Sequence, residues 1–145
     1  SILERVEATV IHRLDDFGTG TDRYGLIHAD MRLANLLIDD NGTRLIDFDD
    51  CGLGWYLYDF ATGISFMEDN EQVPKFKSAW VKGYRKAHHL SSEEIDMLDS
   101  FVMLRRLALL AWIGSHIEAP EPQALATDFA RVSAELGNVY LGQFE

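Results

Sequence analysis

The sequence predicts a single mainly helical α+β domain in which a small β-hairpin carries the polar motifs. Three observations lead there. Apolar residues recur at helical spacing at the start of the chain and again through its second half, while β-prone runs are short and cluster within residues 24–46. An Asn41-Gly42 pair lies between two of those runs, Leu36-Leu37-Ile38 and Arg44-Leu45-Ile46. At 145 residues and 47% hydrophobic composition, the chain can bury one sizeable core and is too short for two ordinary domains.

Leu3, Val6, Val10 and Leu14 mark one face of an opening helix, with Ser1 as its cap and Gly18 and Gly20 at its end. Residues 24–27 read as a short strand. With Asn41 and Gly42 as the two central turn residues, the hairpin register sets Asp40 against Thr43, Ile38 against Leu45 and Leu36 against Asp47. Asn35 then lies one step from Asp47 across the ladder. After Gly52 and Gly54 the pattern turns helical to the end of the chain. Breaks at 70–74, 88–90 and 119–122 divide it into four helices. Ser91 and Glu94 have capping-box spacing, and the helix they open is apolar almost all round over 101–113, as suits a central buried helix. The chain shows no internal repeat and no low-complexity segment.

Composition excludes several classes. A net charge of −11 and a pI near 4.7 repel a phosphate backbone, and no basic patch offsets them, so nucleic acid is not an expected partner. The longest apolar stretch is cut by Arg105 and Arg106 and falls short of the roughly 20 residues of a membrane span. Cys51 is the single cysteine, which rules out an intrachain disulfide and fits a reducing, cytoplasmic setting. It is expected to be partly buried and inert. The first residues contain neither a secretory signal pattern nor an initiator methionine, so the chain is expected to begin inside a longer protein.

The chemistry-bearing residues fall in two blocks. His28-Ala29-Asp30-Met31-Arg32-Leu33-Ala34-Asn35 precedes the hairpin, and Ile46-Asp47-Phe48-Asp49-Asp50 follows its turn. An amide oxygen from Asn35 and a carboxylate from Asp47 offer two hard ligands to Mg²⁺, which takes its remaining ligands from waters and phosphate oxygens. Asp30, on the loop before Asn35, can accept a proton from a hydroxyl that attacks the γ-phosphate of ATP. The spacing of His28, Asp30 and Asn35 equals that of the kinase catalytic loop H-R-D-L-x-x-x-N, with Asp47 in place of the downstream metal aspartate.

On these residues, together with Asp47-Phe48-Asp49-Asp50-Cys51-Gly52 and Tyr58-Asp59-Phe60-Ala61, the chain resembles the aminoglycoside phosphotransferase and choline kinase superfamily. Its motifs are most similar to uncharacterised phosphotransferases and stress-response kinases of that group. The resemblance implies that residues 1–145 form the C-terminal catalytic lobe of a protein-kinase-like fold, with ATP and Mg²⁺ as cofactors. It implies Asp30 as catalytic base, Asn35 and Asp47 as metal ligands, and Asp59 as a buried brace for the catalytic loop. It also implies an N-terminal lobe with a phosphate-covering loop and a lysine. No strands of that kind precede Tyr24, so that lobe is expected as a missing partner and this chain alone is expected to be inactive. Ala29 stands where many relatives have glycine; its β-carbon disfavours positive φ and leaves the ordinary loop conformations. Arg32 stands where many protein kinases carry a phosphate-contacting lysine. A transition-state role and a solvated surface role are both open to it.

Plainer readings compete at other positions. Asp49 and Asp50 read as a polar turn or as outer site residues, and His28 as a loop-orienting hydrogen-bonding group. Asp59 could also serve as an N-cap. Trp55, Tyr56, Tyr58, Trp80, Tyr84 and Trp112 read mainly as core, with a cage for a quaternary ammonium as the alternative. The expected function is transfer of the γ-phosphoryl of ATP to a hydroxyl of a small molecule, with a protein hydroxyl as a second option. The acidic balance favours a cationic acceptor. A non-catalytic kinase-like module is the rival from another class, but it has no need to keep Asp30, Asn35 and Asp47 together. A metal-dependent glycosyltransferase reading of Asp47-Phe48-Asp49 leaves the upstream loop unexplained.

Overall fold

The computed structural model describes residues 1–145. Helix α1 (Ile2–Phe17) opens on a capping box. Ser1 Oγ accepts the Glu4 N–H at 3.3 Å and the Glu4 carboxylate returns to the Ser1 amine. The helix buries Val6, Val10, Leu14 and Phe17 and ends at Gly18, whose φ of 78° favours glycine. Strand β1 (Tyr24–Ile27) follows, then an irregular loop, one 3-10 turn over Leu33–Asn35, and the hairpin of β2 (Leu36–Asp39) and β3 (Gly42–Leu45). After β4 (Gly52–Trp55) come α2 (Tyr58–Gly63), α3 (Val73–Tyr84), α4 (Ser92–Ser115) and α5 (Pro120–Phe144). The four helices expected after Gly54 are present, and no helix is long and apolar enough to cross a membrane.

Two expectations need correction. The hairpin turns on Asp40-Asn41, with Asp39 opposite Gly42, Ile38 opposite Thr43 and Leu36 opposite Leu45. A turn centred on Asn41-Gly42 needs positive φ at Asn41, which that residue does not adopt. Instead Asp39 Oδ1 accepts the Asn41 N–H at 2.8 Å, fixing the turn one residue earlier, and Gly42 takes the positive φ of 121° just after it. The displacement is two residues along the partner strand, so every side chain keeps its face. The second correction is β4, which sequence reading assigned to the start of the helical region. It pairs antiparallel with β1, Tyr24 opposite Trp55 and Ile27 opposite Gly52. Gly54 is a close-approach residue here rather than a breaker, since a β-carbon on it would lie 2.5 Å from Ile27 Cδ1.

The core is assembled by α1, α4 and α5, with α2 packed against α4. Ser91 caps α4 through the expected capping box with Glu94, and the helix buries Met97, Leu98, Phe101, Met103, Leu109 and Ile113. It also buries Arg106, whose side chain is only 2% exposed. Arg106 Nη1 donates to Glu68 Oε2 at 2.7 Å, Nε to Ser133 Oγ at 2.8 Å and Nη2 to the Phe129 carbonyl at 3.2 Å, and its guanidinium stacks 3.4 Å from the Phe129 ring. One arginine thus ties α4 to α5 and to the segment after α2. Sequence reading took it only as an interruption of an apolar stretch.

A buried ion pair is costly to break because the surviving charge keeps its desolvation penalty. Arg106→Met is expected to lower unfolding free energy by about 3–5 kcal/mol in urea titrations, with the joint replacement Glu68→Met/Arg106→Leu losing much less. Equal losses in the two proteins would contradict this reading of the pair.

Candidate active site

The loop between β1 and β2 has almost no regular structure, so its backbone groups must find other partners. They find them largely on α2. Asp59 accepts the His28 N–H at 3.0 Å on one carboxylate oxygen and the Ala29 N–H at 2.8 Å on the other. One turn later on the same helix, Thr62 Oγ1 accepts the Met31 N–H at 3.0 Å and donates to the Asp59 carbonyl at 3.0 Å. The Asp30 N–H goes to His28 Nδ1 at 3.2 Å, and the Asp30 carbonyl accepts from Asn35 Nδ2 at 2.8 Å. Asp59 therefore braces the loop; the helix N-cap is Leu57, which makes no side-chain cap.

His28 is a loop-orienting group with a defined tautomer. Because Nδ1 accepts from Asp30, Nε2 is the protonated nitrogen and donates to the Ile46 carbonyl at 2.9 Å. Phe48 packs edge-on against the same ring at 4.9 Å. These contacts clip the loop to the chain leaving β3. Ala29 takes a φ of 68°, against the expectation from its β-carbon. The left-handed region costs a non-glycine residue about 1 kcal/mol, and the two charge-assisted bonds from Asp59 to this peptide and its neighbour offset that cost.

Asp30 is 7% exposed and at the centre of a charged cluster. Arg32 approaches both carboxylate oxygens, Nε to Oδ1 at 2.8 Å and Nη2 to Oδ2 at 3.3 Å. Asn35 Nδ2 reaches Oδ2 at 3.1 Å, and Arg105 Nη2 from α4 lies 3.5 Å from Oδ1. Arg32 is thus neither a free surface arginine nor, in this arrangement, turned away from the loop. A cavity of about 600 Å³ opens beside Asp30, lined also by Asp50, Tyr58, Phe66, Trp112 and Glu121. Asp50 and Glu121 make no ion pair with the protein's own cations.

Past the hairpin, the Ile46 N–H donates to the Asn35 carbonyl at 3.0 Å, so the next residue, Asp47, adjoins Asn35 despite the shifted register. Asp47 is exposed and held at φ 59°, a region aspartate tolerates better than most residues. Its carboxylate accepts only the Asp49 N–H, at 3.4 Å. Asn35 commits its amide nitrogen to Asp30, and its Oδ1 receives no hydrogen bond from the protein. An amide oxygen and a carboxylate with open lone pairs are a donor set suited to a hard divalent cation. No group of three or more His, Cys, Asp or Glu side chains comes together anywhere in the chain, here included, so the protein's share of such a site is this pair.

Other sequence candidates separate. Of the six aromatics weighed as a cage, only Tyr58 and Trp112 line the cavity. Trp80 stacks on Tyr84 at 4.8 Å, Trp55 donates to the Gly18 carbonyl and Tyr56 to the Thr21 carbonyl. Asp50 reaches the cavity wall and Asp49 does not. Cys51 is exposed, not partly buried, because the chain between β3 and β4 runs over the surface. Sequence reasoning missed Thr62 and Arg105. Thr62 was within reach, since it lies three residues after Asp59 on one helix face, but nothing local connects Arg105 to Asp30.

The helical layers, the braced loop and the hairpin form the C-terminal lobe of a kinase-like fold. The model of the phosphotransferase enzyme family matches residues 2–95, and the chain belongs to that family. It is similar to amicoumacin kinase of Bacillus subtilis (strain 168), with 27% identity over 97 residues, 61% of this chain and 29% of that protein. Among solved structures it is similar to a microcompartment-associated aminopropanol kinase, at 46% identity and a TM-score of 0.91 over 98% of this chain and 45% of the other. An amicoumacin kinase in complex with AMP-PNP, Ca²⁺ and Ami shares the fold, at 21% identity and a TM-score of 0.72 over 92% of this chain and 44% of the other. The chain spans less than half the length of each of these relatives.

Removing the brace leaves two backbone N–H groups without acceptors, each worth about 1–3 kcal/mol when buried. Asp59→Ala is expected to destabilise the fold by about 2 kcal/mol or more and to speed amide hydrogen exchange at His28 and Ala29 above all. Exchange unchanged at those two amides would remove Asp59 from this role.

Proposed function

We propose that this chain is the catalytic-loop lobe of an ATP-dependent phosphotransferase acting on a hydroxyl of a small molecule, with Asp30 as the general base. The observation that carries the reading is a buried carboxylate on a braced loop, opening into a cavity and bonded to Asn35, whose carbonyl accepts the N–H of the residue before Asp47. In the proposed reaction the acceptor hydroxyl gives its proton to an Asp30 oxygen as its own oxygen bonds to the γ-phosphorus. The bond from phosphorus to the β–γ bridging oxygen breaks, and ADP leaves. Arg32 is suited by charge and place to the transferred phosphoryl oxygens. Asn35 Oδ1 and the Asp47 carboxylate would hold Mg²⁺, which when bound neutralises charge on the β- and γ-phosphate oxygens.

For the acceptor, a small amino alcohol is the reading we favour. Asp50 and Glu121 leave unpaired negative charge on a cavity with aromatic walls from Tyr58 and Trp112, a chemistry that suits an ammonium group. The relative at 46% identity, described as an aminopropanol kinase, agrees with it. The remainder of the enzyme is the expected partner. Leu26 and Leu53, cross-strand neighbours on β1 and β4, are 73% and 75% exposed and offer an apolar face for it to cover.

In the complete enzyme, Asp30→Asn is expected to lower turnover by about 10²–10⁴ at saturating acceptor while leaving Mg-ATP affinity near wild type. Turnover within a few-fold of wild type would eliminate Asp30 as the base. Asp47→Asn is expected instead to weaken Mg-ATP binding in calorimetric titration. A panel of small alcohols with and without an amine, assayed for ATP-dependent phosphorylation, tests the acceptor class; a preference for the uncharged members would refute it.

A further inference from the structure

The carboxylate of Asp30 lines the cavity, and both of its oxygens already have donors. A carboxylate offers about four lone-pair sites. Arg32 Nε at 2.8 Å and Arg105 Nη2 at 3.5 Å both address Oδ1, while Asn35 Nδ2 at 3.1 Å and Arg32 Nη2 at 3.3 Å address Oδ2. Three of these contacts are hydrogen bonds and the Arg105 contact is an ion pair, so an acceptor hydroxyl must compete with them for its approach to either oxygen. The three donors are not equally displaceable. Asn35 is held a second time by the Asp30 carbonyl at 2.8 Å. Arg105 projects from the buried helix α4, is 16% exposed, and is anchored from behind by Nε donating to Ser65 Oγ at 2.9 Å. Ser65 is itself buried and tied to the Thr62 carbonyl at 2.7 Å. The Arg32 side chain is 46% exposed and makes no other hydrogen bond.

We propose that Arg105 is a positioning residue that holds Asp30 from the α4 side, and that Arg32 is the exchangeable guanidinium whose departure opens Asp30 to the acceptor. The inference rests on the reading of Asp30 as the base. Asp30 is the one carboxylate within ion-pairing distance of Arg105, so a largely buried guanidinium is kept there with Asp30 as its counter-ion. When Arg32 turns toward the phosphoryl group, Oδ1 loses its shorter donor and gains a free site, while Arg105 and Asn35 keep the carboxylate in one rotamer. The Thr62–Ser65–Arg105 chain then extends the support that α2 gives the loop backbone to the reacting side chain. Misplacement by about 1 Å at a reacting group can cost about 10²-fold in rate, which sets the scale of the expected effect.

The test uses the complete enzyme and a double-mutant cycle. Arg105→Met, which keeps the stem and removes the charge, is expected to lower kcat by about 10- to 100-fold with the Kd for Mg-ATP unchanged and the thermal midpoint close to wild type. Arg105→Lys should recover part of the loss, and Ser65→Ala should give a smaller loss of the same kind. In Asp30→Asn/Arg105→Met the second substitution should add little, because it acts through a side chain already disabled. The proposal is overturned if Arg105→Met keeps kcat within about twofold of wild type, or if its full factor persists in the Asp30→Asn background. The second outcome leaves Asp30 standing as the base, whereas an active Asp30→Asn removes both readings. Should Arg105→Met fail to fold, Ser65→Ala in the same cycle decides in its place by the same criterion.

Discussion

The carboxylate of Asp59 carries two backbone N–H groups of a loop that has no ladder of its own, and the posture of the site depends on that grip. A loop of this kind next to a cavity would otherwise expose its amides to water and sample many conformations. With His28 and Ala29 bound to one side chain, the peptide is held with Ala29 in the left-handed region and Asp30 turned inward. Thr62 extends the hold to Met31, and His28 passes it on to the chain leaving β3. The short helix α2 thus acts as a polar template for the loop, which is why its first turns bring hydrogen-bonding side chains to a face that a packing helix would fill with apolar ones.

The rest of the fold keeps that template in place. Helix α2 packs on α4, and α4 is locked to α5 and to the segment after α2 by the buried Arg106. Two adjacent arginines on α4 therefore do different work. Arg106 faces the helical core, where Glu68, Ser133 and the Phe129 ring surround it, and Arg105 faces the cavity and Asp30. Successive residues on a helix diverge by about 100°, so one helix can serve the core with one side chain and the site with the next. Glu68 retains one carboxylate oxygen without a partner, and the pair is more a device for fixing the arrangement of the helices than a large source of stability.

Charge is distributed to match. The chain is strongly acidic overall, yet the guanidiniums of Arg32 and Arg105 are gathered on a single carboxylate, leaving Asp50 and Glu121 on the same cavity without cationic partners. In the proposed transfer, the unpaired carboxylates of the cavity would face the acceptor. This layout explains why the overall charge says little about the site, where the local order of signs decides what can bind.

Much of this was readable in the residues themselves. The cap at Ser1, the capping box at Ser91, the long apolar helix and the spacing of His28, Asp30, Asn35 and Asp47 depend on local chemistry and periodicity, so the chain's order of residues was enough to define them. The two-residue slip moves Asp47 from one side of the position opposite Asn35 to the other, so it stays one step away along the chain in either register. What tertiary structure alone decided was long-range or conformational. Strand β4 exists because β1 is there to pair with it, and Ala29 takes positive φ because Asp59 holds the neighbouring amides. Arg105 reaches Asp30 because α2 and α4 pack together. Local propensity argued against each of these or was silent, and the contacts that overrode it join residues far apart in sequence, where spacing along the chain carries no information about distance in space.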